Sequence, residues 1–360
     1  MARKKKITLQ MIADQLGVTV HTVSKGLRGL PGMSEATRRD IFRTARELGY
    51  MSKGQAAGLT AEQIPWAGAG KPRRFVMLLQ NAHPFYSVQV EGLHQRLDEL
   101  GHVLTTIVLP NPPGGEQQLM EWLERSGVLF TDGLFLPPAL PEWVEAVLLQ
   151  LPLPKVMINF PPDAAEVDSV IWDVQHAVHL AMNVLHAHGH RSILFVGGIH
   201  GYRGFQLRWQ AFIGACERLG LQLNLADHVT ETKTNQAGWM GQLADKLRRG
   251  GYTAVLCATK EDAAWTYAVL QSAGIAVPGS VSVVGTDHEE NPSLPELSRP
   301  LLLVREVGER AAELMLRRIA NPQLPFEHVR LAGAFFAGAT LARSLTDQKE
   351  MGNKFTPLSR

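Results

Sequence analysis

The sequence predicts an all-α helix-turn-helix head followed by an α/β body of parallel sheets, and three observations carry that prediction. Residues 8–27 read as two short amphipathic helices around a glycine turn. The remainder alternates apolar strand-like runs with helical stretches, the pattern of right-handed crossovers between parallel strands. Basic charge gathers at one end. Residues 1–50 hold ten Lys/Arg against four Asp/Glu, a net +6, although the 360-residue chain is only +2. A basic three-helix head is the electrostatic footprint expected of a DNA reader. Joined to a body of small-molecule-binding type, it points to a ligand-controlled transcription factor.

The elements follow in order. Leu9, Ile12, Ala13 and Leu16 fall on one helix face. Thr8 is placed to cap the first turn, and Gly17 stands where a left-handed C′ residue is expected. Thr19 then caps a second helix from Val20 to about Leu27, with Val23 and Leu27 inward and His21, Thr22 and Lys25 outward. A third helix runs from the N-cap Ser34 to Leu48, burying Ile41, Phe42, Ala45 and Leu48 and ending at Gly49. Further on, strands are expected at 75–79, 103–109, 132–136, 155–159, 193–197, 253–258 and 281–285, with another short one ahead of Trp172-Asp173. Helices are expected between them, among others at 87–100, 116–126, 174–189, 206–219, 235–250 and 261–273. So many strands divide more naturally into two subdomains than into one sheet.

Ligands of parallel sheets bind beyond the carboxyl ends of the strands. The loops there hold Gln80, Asn81, His83, Phe85 and Tyr86, then Asn159 and Phe160, then Tyr202, Arg203, Phe205 and Arg208. Lys233, Thr259, Lys260 and Asp287 complete the set. Other chemistry finds little footing. His186, His188 and His190 resemble a zinc cluster, but the acidic or cysteine partner is missing. Gly68-Ala-Gly-Lys71 is followed by Pro72, not by the Ser/Thr of a phosphate loop. Neither Gly-x-Ser-x-Gly nor His-Glu-x-x-His occurs, so an enzyme is not expected, and no cofactor or metal. The chain has no apolar run of membrane length, and its start lacks a signal-peptide core, which implies a cytoplasmic protein. Cys216 and Cys257 fall in a helix and a strand pattern and are expected to be reduced core residues.

The chain resembles the lactose/galactose/purine repressor (LacI/GalR) family. The resemblance rests on Thr8-Leu9, Ile12-Ala13, Gly17-Val18-Thr19, Thr22-Val23-Ser24, Ser34, Thr37-Arg38 and Leu48-Gly49-Tyr50. It continues through Pro84-Phe85-Tyr86, Asp132-Gly133-Leu134, Gly189-His190-Arg191-Ser192-Ile193 and Val283-Val284-Gly285-Thr286-Asp287, covering about residues 7–340. The resemblance implies a periplasmic-binding-protein-like body with a ligand in the cleft between two parallel-sheet subdomains. It divides the chain into a head (1–50), a hinge helix and linker (51–72) and an effector-binding body (73–345), followed by a disordered tail (346–360). Within the body it implies an N-subdomain at 73–172 and 301–331 and a C-subdomain at 173–300 and 332–345.

By the same resemblance Val20, His21 and Lys25 read bases, and Thr8, Thr19, Thr22, Ser24 and Arg28 belong to the DNA-facing set. Lys25 can donate to guanine, and Val20 either touches a thymine methyl or packs inward. In the hinge, Ala56 and Leu59 match the family, with Leu59 as the minor-groove wedge. Gly54 and Gly58 weaken that helix by about 1 kcal/mol each relative to alanine.

The implied effector contacts are Phe85, Tyr86, Asn159, Phe160, Arg208, Lys233, Thr259, Lys260 and Asp287. Arg208 matches an arginine that grips ligand oxygens, with a plain salt bridge to Asp287 as the alternative. Departures at Asn159, Lys233 and Thr259-Lys260 remove negative charge or add positive charge relative to many sugar-binding members. With Arg203 and Arg208 they favour an acidic effector, a sugar acid or phosphosugar, over a neutral sugar or nucleobase-like ligand. The partners expected are operator DNA, that effector and a second copy of the chain. In such a homodimer two heads read a pseudo-palindrome.

Overall fold

The computed structural model describes residues 7–27, 33–48, 50, 71–80, 84–110, 114–231, 236–286 and 294–344. The chain divides into two units, Met1–Ile64 and Pro65–Arg360. The hinge from 51 and the tail from 346 lie outside the described residues.

The first unit holds α1 (Leu9–Leu16), α2 (Val20–Leu27) and α3 (Glu35–Leu48). Each begins on a hydroxyl cap. The Met11 N–H donates to Thr8 Oγ1 at 3.4 Å, Thr22 to Thr19 Oγ1 at 3.1 Å and Thr37 to Ser34 Oγ at 3.1 Å. Gly17 closes α1 at φ 64°, a left-handed conformation that costs a glycine little. Ile12, Ala13, Val23, Ile41 and Ala45 form the core, with Leu9, Leu16 and Leu48 around it. The sequence did not reveal Gly26, where a Cβ would stand 2.8 Å from Ile41 Cδ1; its missing side chain lets α2 close on α3.

The second unit contains two parallel sheets. In the larger lobe β1 (Arg74–Leu79), β2 (Val103–Val108), β3 (Gly133–Leu136), β4 (Lys155–Met157), β5 (Asp168–Trp172) and β10 (His328–Leu331) lie in the order β10-β5-β4-β3-β1-β2. Helices α4 (Pro84–Glu99) and α11 (Val304–Ala320) cover one face, α5 (Glu116–Arg125) and α6 (Glu142–Gln150) the other. The strand period of two is visible in β1. Phe75, Met77 and Leu79 enter the core with α4 and α11, while Val76 and Leu78 enter the core with α5 and α6. The smaller lobe orders β6 (Ile193–Val196), β7 (Ala254–Cys257) and β8 (Ser282–Val284) consecutively. There α7 (Val174–Ala187) and α8 (Arg203–Leu219) pack on one face, α9 (Gln236–Arg249) and α10 (Lys260–Ser272) on the other.

Helices α4 and α11 pack backbone to backbone. A Cβ at Gly92 would overlap the Arg305 carbonyl, and one at Gly308 the Gln89 carbonyl. At the sheet's far edge Arg318 grips buried Asp168 with Nε–Oδ2 at 2.6 Å and a second bond at 3.0 Å. It lies 4.6 Å over the Phe326 ring and so fixes the turn into β10.

The chain passes between the lobes three times: after β5, through β9 (Arg299–Pro300) and back through β11 (Phe335–Phe336). β9 and β11 pair antiparallel, and the Gly333 position would place a Cβ on the Leu301 carbonyl. Residues beyond β11 are laced onto the smaller lobe. Thr340 Oγ1 accepts from Ser298 N at 2.9 Å and donates to the Val283 carbonyl at 2.7 Å.

Several expected elements shift. The helix expected from 206 starts at Arg203, and the one expected from 87 starts at Pro84. α6, α11 and the short β9–β11 strands had not been read from the sequence. Cys216 and Cys257 are buried without a disulfide, and burial pushes the Cys216 thiol up to about 11. The His190 ring is used on both sides, by Thr253 Oγ1 at 3.0 Å and the Ala342 carbonyl at 3.0 Å. His188 Nδ1 lies 2.8 Å from the Val184 carbonyl.

His228 is buried between Trp209 and Phe212, and its Nδ1 accepts the Phe195 N–H of β6 at 3.0 Å. Burial drives its pKa from 6.5 down to about 4, so the folded ring stays neutral while an unfolded one protonates below pH 6.5. The unfolded state binds more protons between those values, and stability rises with pH across that window and levels off above it. The melting temperature is therefore expected to fall steadily from pH 6.5 to pH 4.5. Replacing the ring by His228→Asn should flatten part of that slope, and an unchanged slope would clear His228 of the effect.

Candidate functional site

Two surfaces matter, one in each unit. In the head, α2 presents His21 exposed, with Thr22, Ser24 and Lys25 half-buried beside it. Val23 and Gly26 are turned in. Thr8 and Thr19 spend their hydroxyls on helix caps, which sets the angle at which α1 and α2 enter the turn. Val20 is half-buried and packs against the head's core. Arg28, Ala56 and Leu59 lie outside the described residues.

In the body, the carboxyl ends of the strands meet across the cleft. After β4, Asn159 is buried and turns its Oδ1 back to accept the Phe160 N–H at 2.8 Å, which shapes the loop. Phe160 is 5 % exposed and lies in the large-lobe core, under the Arg330 guanidinium at 5.4 Å. Tyr86, in the first turn of α4, is pushed up to about 12 by burial and by Tyr202 from the facing lobe. Phe85 lies in that same turn, its side chain outside the description.

The smaller lobe contributes the start of α8. Arg203, its first residue, donates Nε to the Phe160 carbonyl at 2.7 Å. Its second nitrogen reaches both carboxylate oxygens of Glu145 at 2.8 and 2.6 Å. Glu145 comes from α6 of the larger lobe and is buried, so this bidentate pair spans the cleft. Arg203, expected as an additional cation facing ligand, is thereby neutralised. Nothing near Glu145 in the sequence indicated this, because the partners stand 58 positions apart.

One turn on, Arg208 is 8 % exposed. It donates to the Gly204 carbonyl at 3.2 Å and lies 5.8 Å from the Phe205 ring centre. Its Nε has no partner among the described residues. Burial lowers its pKa to about 10, partly offset by Asp262, so it remains a cation at neutral pH. A Cβ at Gly204 would lie 3.4 Å from the Arg208 nitrogen and 3.6 Å from the Phe160 ring, which brings those two side chains into one neighbourhood.

Asp262, fully buried in the first turn of α10, is a carboxylate outside the effector set expected from the sequence. The Thr259 hydroxyl donates to it at 2.6 Å and accepts the Asp262 N–H at 3.2 Å. Its signal was present: an acid three residues after a Thr N-cap. Lys260 is the first residue of that helix. Lys233 and Asp287 lie outside the described residues. A cavity of about 730 Å³ among Arg191, Asn224, Lys246 and Tyr252 opens at the other end of the small sheet. It lies beside the first residues of β6, away from the strand ends where ligands of such sheets bind.

Among the described residues no helix is long and apolar enough to cross a membrane. Residues 8–52 match the family described as bacterial regulatory proteins, lacI family, and residues 182–340 match the periplasmic binding protein-like domain. The chain is 25 % identical over 325 residues to the HTH-type transcriptional repressor PurR of Vibrio parahaemolyticus, covering 88 % of this chain and 93 % of that one. It is 26 % identical over 332 residues to the ribose operon repressor of Escherichia coli K12, covering 90 % and 96 %. Its fold is similar to the lac repressor dimer bound to operator and the anti-inducer ONPF, with TM-score 0.64, 21 % identity and coverage of 94 % and 100 %. It is equally similar to the CelR–cellobiose complex, with TM-score 0.64, 21 % identity and coverage of 93 % and 100 %. The relatives are repressors rather than enzymes. With these matches at both ends and repressors as relatives along most of its length, the chain joins a lacI-family helix-turn-helix domain to a periplasmic-binding-protein-like body.

Proposed function

We propose that this regulator binds a pseudo-palindromic operator as a homodimer and that a small sugar-like effector in the cleft sets its DNA affinity. The lobes are taken as 73–172 with 301–331 and 173–300 with 332–345. The observation that carries the effector reading is Arg208, a desolvated guanidinium whose Nε has no partner among the described residues, set beside the Phe160 ring and facing buried Asp262. An apolar face with a few convergent donors and acceptors is what a polyhydroxylated ring requires. Proteins similar to this one point the same way. One is a ribose operon repressor, and one solved neighbour holds bound ribose. The charge pairing favours a neutral sugar-like effector over an acidic one, since Arg203 is matched by Glu145 and Arg208 faces Asp262.

Effector binding acts on operator affinity through the three crossings between lobes, as a coupling free energy of about 1–3 kcal/mol. The Glu145–Arg203 pair favours the closed arrangement and is the contact that an opening motion must break.

Titrating the full chain with neutral and acidic sugars by calorimetry tests the effector reading. Arg208→Ala is expected to weaken the sugar that binds by roughly one to two orders of magnitude. Unaltered affinity removes Arg208 from the site. Glu145→Gln should enlarge the radius of gyration of the effector-free chain in small-angle scattering, and an identical profile would show that the pair does not hold the lobes. In the head, Lys25→Ala should relax base preference at one position of each half-site, at a cost of about 1–3 kcal/mol for the preferred base. An equal loss on every sequence would instead make Lys25 a phosphate contact.

A further inference from the structure

Gln89 stands second in a stripe along α4 formed by Tyr86, Gln89, Leu93 and Leu97, spaced by three, four and four residues on one helix face. Leu93 and Leu97 are fully buried in the large-lobe core, and Tyr86 packs on the same cluster. Gln89 is itself 0 % exposed, yet both its amide oxygen and its amide nitrogen lack a partner among the described residues. A buried amide with neither bond made is costly, and a leucine or methionine would fill the same rung without that cost. Stability therefore gives no reason for a glutamine here; a ligand would.

The position supports a ligand. α4 starts just past the carboxyl end of β1, and Gln89 is five residues in, one turn below Tyr86, which faces Tyr202 of the other lobe. Leu207 of α8 packs into the same core, and its neighbour Arg208 lies beside Phe160 of that core with an unpartnered Nε. Thus each lobe brings to the border of one apolar cluster a buried polar side chain with at least one atom unpartnered among the described residues.

Resting on the reading of the cleft as the effector site, we infer that Gln89 determines effector specificity, its neutral amide pairing with hydroxyls of an uncharged polyol. The chemistry fits that class. Arg208 only donates, whereas the amide both donates and accepts, as each sugar hydroxyl does. Arg208 and Asp262 offset one another, so a third, uncharged contact selects a neutral ligand over an anion.

The test uses the full chain, wild type and Gln89→Leu, with D-ribose, cellobiose, D-glucose, D-gluconate and hypoxanthine as calorimetric probes and melting temperature as the second readout. A neutral sugar should bind the wild type and bind Gln89→Leu at least tenfold more weakly, while the ligand-free variant melts at the same or a higher temperature. Where Gln89→Leu does not fold, Gln89→Met makes the same comparison. Equal affinity in the variant overturns the role of Gln89 and leaves the effector site standing. A weaker affinity accompanied by a melting temperature several degrees lower also overturns it, because the amide is then structural. Binding of gluconate or hypoxanthine alone overturns the neutral-polyol class. If no probe binds the wild type, the effector reading fails, and this inference with it.

Discussion

Two parallel sheets in one chain are joined covalently at their crossings, and here three crossings leave and enter beside the carboxyl ends of the strands. The β9–β11 ribbon and the exit from β5 fix that edge. The rest of the cleft follows from it. The stretch after β4 meets the start of α8, where Arg203 reaches the Phe160 carbonyl, and α4, α8 and α10 begin past the carboxyl ends of β1, β6 and β7. Glycines at 333 and 338 are demanded by this geometry, because the returning strand runs against the Leu301 and Glu296 carbonyls with no room for a Cβ.

Within that frame, charge is arranged in pairs across short gaps. Glu145 can be buried because Arg203 satisfies both of its oxygens. Asp168 can be buried because Arg318 and the Glu327 N–H do the same. Breaking one member of such a pair leaves an uncompensated buried charge, which is far more costly than losing an exposed bridge. One pair spans the lobes and the other ties β5 to the turn before β10, so the first can respond to a ligand while the second keeps the sheet edge fixed. The head follows another logic. Its short core holds three helices by caps and by one close approach at Gly26, which leaves the outer face of α2 available to DNA.

Much of this was legible in the sequence wherever the signal is local. Leu9, Ile12, Ala13 and Leu16 announce α1 by spacing alone, and Thr8, Thr19 and Ser34 announce where helices begin, because a cap bonds to an amide three residues away. The apolar runs of β1, β6 and β7 stand out because those strands are buried on both faces. β9 and β11, two residues each, carry no such signal.

The three helices of the head and the strand–helix alternation of the body were legible from the residues alone. Those follow from periodicity, capping chemistry and strand burial, all of which act over a few residues. How the charges and polar groups are used became visible once distant elements had packed together. Arg203 reads as a free cation until Glu145 is brought 58 positions along the chain to meet it. Gln89 reads as one more polar residue on a helix until the fold buries it with both amide atoms unpartnered among the described residues. Solvation and pairing of a side chain depend on which distant elements pack around it, and no local pattern records that.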